Sequence, residues 1–455
     1  MPCLYNDQHA LSLLTSNTDY YPSSNIHHPT SNIHHPSSNI QHPSSNTIMK
    51  ILVINSGSSS LKYQLFQVLE DQKSHDKDKA SLVSVLCKGL VERIGLADGQ
   101  LHYTTDTQNI DKVMDIPNHQ VGLEAVAQLL MDPKVGVIAD ASEIQAVGHR
   151  VVHGGNAFTQ TVLIDNKVKE VIKSLFSLAP LHNPANYMGI EVAEQVFPQA
   201  AQVAVFDTAF HQSIPEKAFR YALPAEFYEK EHIRMYGFHG TSHQYVSEQA
   251  IEHLGKPNSK IITVHLGNGC SITAIKDGKS IDHSLGFGPM NGLIMGTRSG
   301  DIDQAVVLHL IDKMGYTAKE VADLLQKKSG MLGLTGMSDL RDIESAAEQG
   351  NEQAQLALDM NVYRIKKYIG SYMAALNGLD ALVFTAGIGE NSDMIRKMVC
   401  ENMEFLGIEM DFEKNKGRKK QFTEVQTATS RVKIYVIPTN EELEIARQTY
   451  ELVHP

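Results

Sequence analysis

Residues 50–68 read KILVINSGSSSLKYQLFQV, and residues 261–276 read IITVHLGNGCSITAIK. Each is a short apolar β-type run, a turn of small residues, and a second β-type run. Each predicts an antiparallel hairpin, and the recurrence of one unit predicts two structurally similar halves. Small residues in such turns let backbone N–H groups come close to an anion, although the same composition also suits an ordinary chain reversal. The stretch from Asn55 to Lys62 is not a Walker A loop: the GxxxxGK[ST] spacing is absent, and a strand follows where a helix would.

Outward from these hairpins, strands are expected at Val147 to Val152 ahead of HGG, and at Val203 to Phe206, ending at Asp207. Two more are expected at Ala381 to Phe384 before TAGIGEN, and at Val432 to Ile437 before PTNEE. Helical periodicity covers Ala318 to Lys327, Ser345 to Ala375 and Glu441 to Leu452. Strands alternating with helices give an α/β class. The polar candidates cluster just past strand C-termini, where open α/β sheets take ligands.

The segment ahead of Met49 differs in kind. SSNIHHP, TSNIHHP and SSNIQHP follow one another over residues 23–43. This seven-residue repeat has too little apolar surface to offset chain entropy, so residues 1–48 are expected to form a disordered tail. Its paired histidines, His27 with His28 and His34 with His35, offer at most weak metal binding. Met49 stands where the folded pattern begins and is the expected start of translation.

The chain has 455 residues and a formal net charge of −12. That length suggests two or three domains. The acidic balance argues against bulk nucleic-acid binding but not against an anionic substrate held by a few arginines. Cys3, Cys87, Cys270 and Cys400 form no CxxC pair, which fits a reducing cytoplasm rather than a zinc or redox motif. No apolar run reaches the roughly 20 residues of a membrane helix, and no secretory signal is evident, so no membrane partner is expected.

Several side chains carry candidate chemistry. Arg150 lies in GHRVVHGG and Arg298 in GTRSGD; paired guanidinium donors suit carboxylate or phosphate oxygens, and also structural ion pairs. His239, in YGFHGTSH, suits a donor to developing negative charge. His243, four residues on, has the spacing of a metal pair but no evident third ligand. His182 lies in a turn-like LHNP. Asp207, at a strand end, suits Mg²⁺ or a nucleophile, while Glu441 can serve a metal or a helix dipole. Asp339 and Arg341 can reach a purine and ribose or cap the next helix. His265 to Gly269 and Gly387 to Asn391 add two more glycine-rich turns, as if a nucleotide were gripped from several sides. Lys414 to Lys420 (KNKGRKK) reads as a solvated loop.

In order, the chain carries NSGSSSLK, GHRVVHGG, APLHNPAN, VFDTAFH, YGFHGTSH, HLGNG, MGTRSGDID, FTAGIGEN and IPTNEE. This series resembles the acetokinase family over residues 49–455. The wider relatives are the actin, sugar-kinase and Hsp70-like ATPases. The resemblance implies an α/β fold of two duplicated ribonuclease-H-like domains enclosing an ATP cleft. The expected domains are 49–207, completed by the last helix 442–455, and 208–441. The implied activity is reversible transfer of the ATP γ-phosphoryl group to acetate, giving acetyl phosphate and ADP. Propionate or butyrate is the alternative acceptor, and an Hsp70-like ATPase the alternative class.

The resemblance also implies roles. Asp207, His239 and Arg298 would be catalytic, and Arg150 and His182 would bind the acid. Ser58, Ser60, Lys62, His265, Leu266, Gly267, Asn268 and Gly269 would bind ATP, with Asp339, Leu340, Arg341, Gly387, Ile388, Gly389, Glu390 and Asn391. Asn55 and Glu441 would hold Mg²⁺, or Mn²⁺ in its place, and the chain would form a homodimer. Residues 288–291 read GPMN where the family pattern carries Thr-Pro-Leu-Glu, a departure close to Arg298. Carboxylic acids ionise near pH 4–5, so the acceptor needs no strong base. Direct in-line attack is therefore expected, with Asp207 orienting rather than abstracting a proton.

Overall fold

The computed structural model describes residues 48–70 and 81–454. The repeat tail and Cys3 lie outside the described residues, and Ile48 already heads the first strand. One sheet holds β1 (Ile48–Ser56), β2 (Ser60–Glu70), β3 (Ser81–Glu92), β4 (Gly99–Thr104), β5 (Asn109–Met114), β6 (Ala146–Val151), β7 (Val162–Leu163) and β8 (Ala201–Phe206). The second holds β9 (Lys260–Leu266), β10 (Cys270–Lys276), β11 (Lys279–His283), β12 (Ala381–Thr385), β13 (Thr423–Glu424) and β14 (Lys433–Val436).

Their orders are β5-β4-β3-β2-β1-β6-β8-β7 and β11-β10-β9-β12-β14-β13. Within these, β3-β2-β1-β6-β8 and β11-β10-β9-β12-β14 share one plan: an antiparallel meander, then two parallel strands. Each ends on a short antiparallel edge strand, β7 or β13. The two expected hairpins open the two halves, with Asn55 opposite Lys62 and Leu266 opposite Cys270.

Ile51 to Ile54 are all buried, because helices cover both faces of the first sheet, as parallel strands require. Leu52 and Ile54 meet Leu123, Val192 and Ala193 on one face. Ile51, Val53 and Phe66 meet Ile445 and Ala446 of the last helix, Glu441–Val453, on the other. The helix Gly240–Leu254 sends Val246 and Ala250 onto Ile261 and Val383 of the second sheet. The two helices meet where Arg447 donates to Glu248 at 3.0 Å and Gln448 to Gln244 at 3.2 Å.

Three local expectations change. The helix expected over Ser345 to Ala375 is two helices, Leu340–Glu348 and Glu352–Leu376. Gly350 turns left-handed (φ 87°) between them, and Asn351 caps the second by accepting from Ala354 N–H. The turn expected at Gly387 to Asn391 is a short helix, Ala386–Asn391. The meander β3–β5 was not foreseen; β5 has no buried residue, so it shows no alternation to read.

The core holds several neutral histidines bonded to neutral partners. His149 pairs with Gln202 (2.8 Å), His211 with Ser280 (2.9 Å) and His265 with Ser242 (2.8 Å). Burial pushes His149, His153, His211 and His265 down to about 4, and His243 and His283 well below the ordinary value. Burial also pushes Asp282 up to about 6 and Glu444 up to about 7.

Two predictions follow from this packing. Unfolded histidine titrates near 6.5, so below that pH the unfolded chain binds protons that these six histidines refuse when folded. Their contribution is complete above about pH 6.5 and is lost as pH falls toward 4. Asp282 and Glu444, with Glu344, Glu390 and Glu441, act in the opposite sense, but His182 and His239 join the six, so eight lowered histidines stand against five raised carboxyls. The thermal midpoint should therefore fall from pH 7.5 to 5, with net proton uptake on unfolding, read by calorimetry in buffers of different ionisation enthalpy. Gly148 lies under the last helix, where an added Cβ would meet Thr449 Oγ1 at 2.4 Å and Ile445 Cγ2 at 2.9 Å. Gly148→Ala should cost about 1–3 kcal/mol in urea unfolding, since the packed helix must shift to admit a methyl group.

Candidate active site

Strands β1, β6 and β8 run parallel and deliver Asn55, Arg150 and Asp207 to one end of their sheet. Arg150 donates from Nε to Asp207 Oδ1 (3.1 Å) and from Nη2 to Oδ2 (2.6 Å), a bidentate pair. Its Nη1 donates to Asn55 Oδ1 at 3.3 Å, and Glu441 lies 3.9 Å from its Nε. With five N–H donors on a guanidinium, two remain for an external oxygen. Asp207 is 1% exposed and also accepts from Thr241 Oγ1 at 3.3 Å. Gly240 donates its N–H to the Asp207 carbonyl at 2.9 Å; a Cβ there would stand 2.1 Å from that oxygen, which is why glycine follows His239.

Burial opposes the charge on Arg150, but Asp207 and Glu441 outweigh it and hold the guanidinium firmly protonated. Burial raises the Glu441 carboxyl; Arg150 works against that shift, while Asp207 and Glu442 add to it. Lys62 pairs with Glu442 at 2.5 Å. Lys62 therefore sits beside these carboxylates.

His239 precedes the helix Gly240–Leu254 in a left-handed conformation (φ 56°), an uncommon backbone for a residue with a Cβ. Its Nδ1 lies 2.9 Å from Ser271 Oγ, and its ring stacks on His265 with centroids 4.4 Å apart. A Cβ on Gly269 would meet His239 Nε2 at 3.4 Å and Arg298 Nη1 at 3.8 Å, so both tips face the same space. Burial, then the neighbouring His265 imidazole and the charges of Arg150 and Arg298, keep His239 neutral. Burial and the same two arginines lower His182. Arg150, Arg298, His182 and His239 thus act on one another as one electrostatic group.

Beside this group the second half carries a cavity of about 710 Å³, within the usual range for small-molecule sites. It brings together Leu266, Gly267, Asn268, Asp339, Leu340, Arg341, Gly387, Ile388 and Asn391 from the expected nucleotide set. Asp339 lines it and also caps the helix Leu340–Glu348 by accepting from Arg341 N–H, so both readings of that residue apply.

Seven residues of the set lie outside the cavity walls. Ser58, Ser60 and Lys62 lie in or beside the β1–β2 turn. Gly269 underlies the tips of His239 and Arg298, and His265 stacks on His239. Gly389 accepts from Arg396, and Glu390 accepts from Thr439 N–H at 3.0 Å, bracing the loop that leads to Glu441.

Sequence reasoning passed over some site residues. Arg418 lines the cavity, although its loop reads as plain solvated surface. Asn186 accepts from Val152 N–H at 3.1 Å and donates to the Ser56 carbonyl at 2.7 Å, fixing two strand ends. Asn183 does the same for His153. Both belong to the NPAN part of a motif already singled out, so the signal was present.

The sequence and fold are similar to those of known proteins. A sequence model of the Acetokinase family matches residues 50–447. An acetate kinase of Flavobacterium johnsoniae is 57% identical over 405 residues, spanning 89% of this chain and all of that protein. The crystal structure of Porphyromonas gingivalis acetate kinase superposes with a TM-score of 0.82 at 46% identity, over 89% of this chain and 100% of that one. A propionate kinase from Francisella tularensis superposes with a TM-score of 0.80 at 42% identity, with the same coverage. The chain belongs to the acetokinase family.

Proposed function

We propose that this chain is an acetate kinase, moving the γ-phosphoryl group of ATP reversibly onto acetate to give acetyl phosphate and ADP. The observation that carries this reading is that His239 Nε2 and Arg298 Nη1 meet over Gly269, in the same loop as Gly267 and Asn268 of the cavity wall, with Arg150 and His182 close enough to shift or share their charge. The cavity takes the nucleotide, with Asp339 and Arg341 at its rim. The two free N–H groups of Arg150, with His182, receive the acetate carboxylate.

A carboxylate oxygen attacks the γ-phosphorus in line, and the bond to the ADP oxygen breaks as the new bond forms. Such a transition state needs positioning and charge neutralisation more than covalent help. Arg298 Nη1 and His239 Nε2, sharing the space over Gly269, donate to the equatorial oxygens. Asp207 is occupied by Arg150 and Thr241. Its role is therefore to aim the guanidinium, not to remove a proton.

The oxygen-only pair of Asn55 and Glu441 fits Mg²⁺, which binds through one or two carboxylates plus substrate phosphates. Glu441, raised by burial and by its acidic neighbours despite Arg150, is a carboxylate short of positive charge. Asn55 and Glu441 would hold the ion. When bound, Mg²⁺, or Mn²⁺ in its place, offsets charge on the β- and γ-phosphate oxygens.

Propionate is a second acceptor to weigh, since a propionate kinase lies among the similar structures. One methylene in an apolar pocket is worth only about 1–3 kcal/mol, so kcat/KM across acetate, propionate and butyrate decides between them. The free buried thiols Cys87, Cys270 and Cys400 support a reducing, cytoplasmic setting. Among the described residues no helix is long and apolar enough to cross a membrane. A homodimer fits the helix Gln304–Asp312, which buries none of its residues although Val306 and Leu308 are apolar.

Acetyl phosphate trapped with hydroxylamine should appear only when ATP, acetate and Mg²⁺ are all present, and chelation of the metal should abolish it. Arg298→Ala should lower kcat on the order of 10²–10³-fold, the usual cost of one transition-state donor; near-normal turnover would remove Arg298 from this role. Leu308→Glu should halve the mass seen by light scattering, and an unchanged mass would move the dimer contact elsewhere.

A further inference from the structure

His239 and His243, the i, i+4 pair whose spacing suggested a metal, have a single hydroxyl between them. Ser271 Oγ lies 2.9 Å from His239 Nδ1 and 2.7 Å from His243 Nε2. His243 Nδ1 in turn lies 2.7 Å from Thr263 Oγ1. Ser271, His243 and Thr263 are buried, and Thr263 and Ser271 come from the adjacent strands β9 and β10.

A neutral imidazole carries one N–H, and each hydroxyl has one proton to give. The four groups therefore admit two self-consistent directions. In one, Thr263 donates to His243, His243 to Ser271 and Ser271 to His239, leaving the His239 proton on Nε2. In the other, every donor reverses and Nε2 presents a lone pair to the cleft. The neighbouring histidines have no such choice. Phe238 N–H donates to His283 Nε2 at 3.1 Å, and the Phe238 carbonyl accepts from His211 Nε2 at 3.0 Å. Among the described residues, no backbone group bonds to the side chains of His239, Ser271, His243 or Thr263. At the closed end Thr263 Oγ1 has only His243 Nδ1 as a partner among the described residues, so the first direction alone uses its proton, and at the open end Nε2 faces the space shared with Arg298.

We propose that Ser271, His243 and Thr263 are positioning residues that hold His239 in its Nε2–H tautomer when an anionic phosphoryl group occupies the site. An acceptor-only oxygen opposite Nε2 selects the first direction, and the buried chain then resists its reversal at each link. Neutrality of His239 and His243, set first by burial and then by the imidazoles beside them, with Arg150 and Arg298 adding to it at His239, keeps the chain to one proton per ring. This inference rests on the transition-state role given to His239 above.

The test combines kinetics with ¹⁵N NMR of histidine-labelled full-length protein bound to MgADP, acetate and aluminium fluoride. The expected spectrum has the His239 proton on Nε2 and the His243 proton on Nε2. Ser271→Ala should lower kcat on the order of 10²-fold, as loss of an oriented donor does. The isosteric Thr263→Val should lower it about 10-fold, the scale of outer-shell orienting groups. KM for acetate and ATP should stay within about twofold, because a group acting only in the transition state leaves ground-state binding alone. Thr263→Ser, which keeps the hydroxyl, should restore kcat. A His239 proton on Nδ1 in the complex overturns the proposal, as does wild-type kcat in both Ser271→Ala and Thr263→Val while His239→Ala is crippled. Normal turnover in His239→Ala would instead overturn the role of His239 itself.

Discussion

The bidentate pair between Arg150 and Asp207 is the contact on which the rest depends. A carboxylate 1% exposed is tolerable only because a guanidinium and the Thr241 hydroxyl satisfy it. Removing one partner would leave a buried charge uncompensated, which costs far more than the pair itself contributes. Asn55, Glu441 and Thr241 all take their places around this pair, and they come from β1, the last helix and the helix Gly240–Leu254. One ion pair therefore joins the ends of two parallel strands to the helices that complete each half.

That arrangement explains why chemistry concentrates where it does. Parallel strands align their C-terminal ends, and duplication supplies two such ends. The first half supplies Arg150, Asp207 and Asn55, the corner proposed to take the acid and the metal. The second supplies Arg298 and the cavity proposed for the nucleotide. His239, strained at the head of a helix, stands between them. Neutral histidines beneath it provide hydrogen bonds without adding positive charge, so the guanidiniums dominate the field where phosphoryl oxygens gather charge.

Much of this was legible in sequence because local chemistry and global fold agree. The two hairpins announced the duplication, the strand-end positions of Arg150 and Asp207 followed from short apolar runs, and Glu441 stood out at the head of the last helix, after PTN. Other features were hidden for physical reasons. In the meander β3–β5 the edge strand β5 buries none of its residues and so lacks an alternation to read, although β4 alternates. Gly350 and Asn351 divide one long periodic stretch into two helices, a break that periodicity alone passes over. The pairing of Lys62 with Glu442, remote in sequence, was not legible either, because only the fold brings the last helix beside the first hairpin. Arg418 was passed over because its basic loop carries no apolar pattern, and only the fold brings it to the cavity. The Ser271 link between His239 and His243 depends on a strand pairing that no spacing rule encodes.

Acetate and the terminal phosphoryl group are proposed to meet between Arg150, Arg298 and His239. A crystal structure of the protein with MgADP, acetate and a planar aluminium fluoride tests it most directly. The account requires acetate on the Arg150 N–H groups left free by Asp207, with the fluorides receiving hydrogen bonds from Arg298 Nη1 and His239 Nε2. A planar mimic bound away from these three side chains, or acetate held elsewhere, would contradict it.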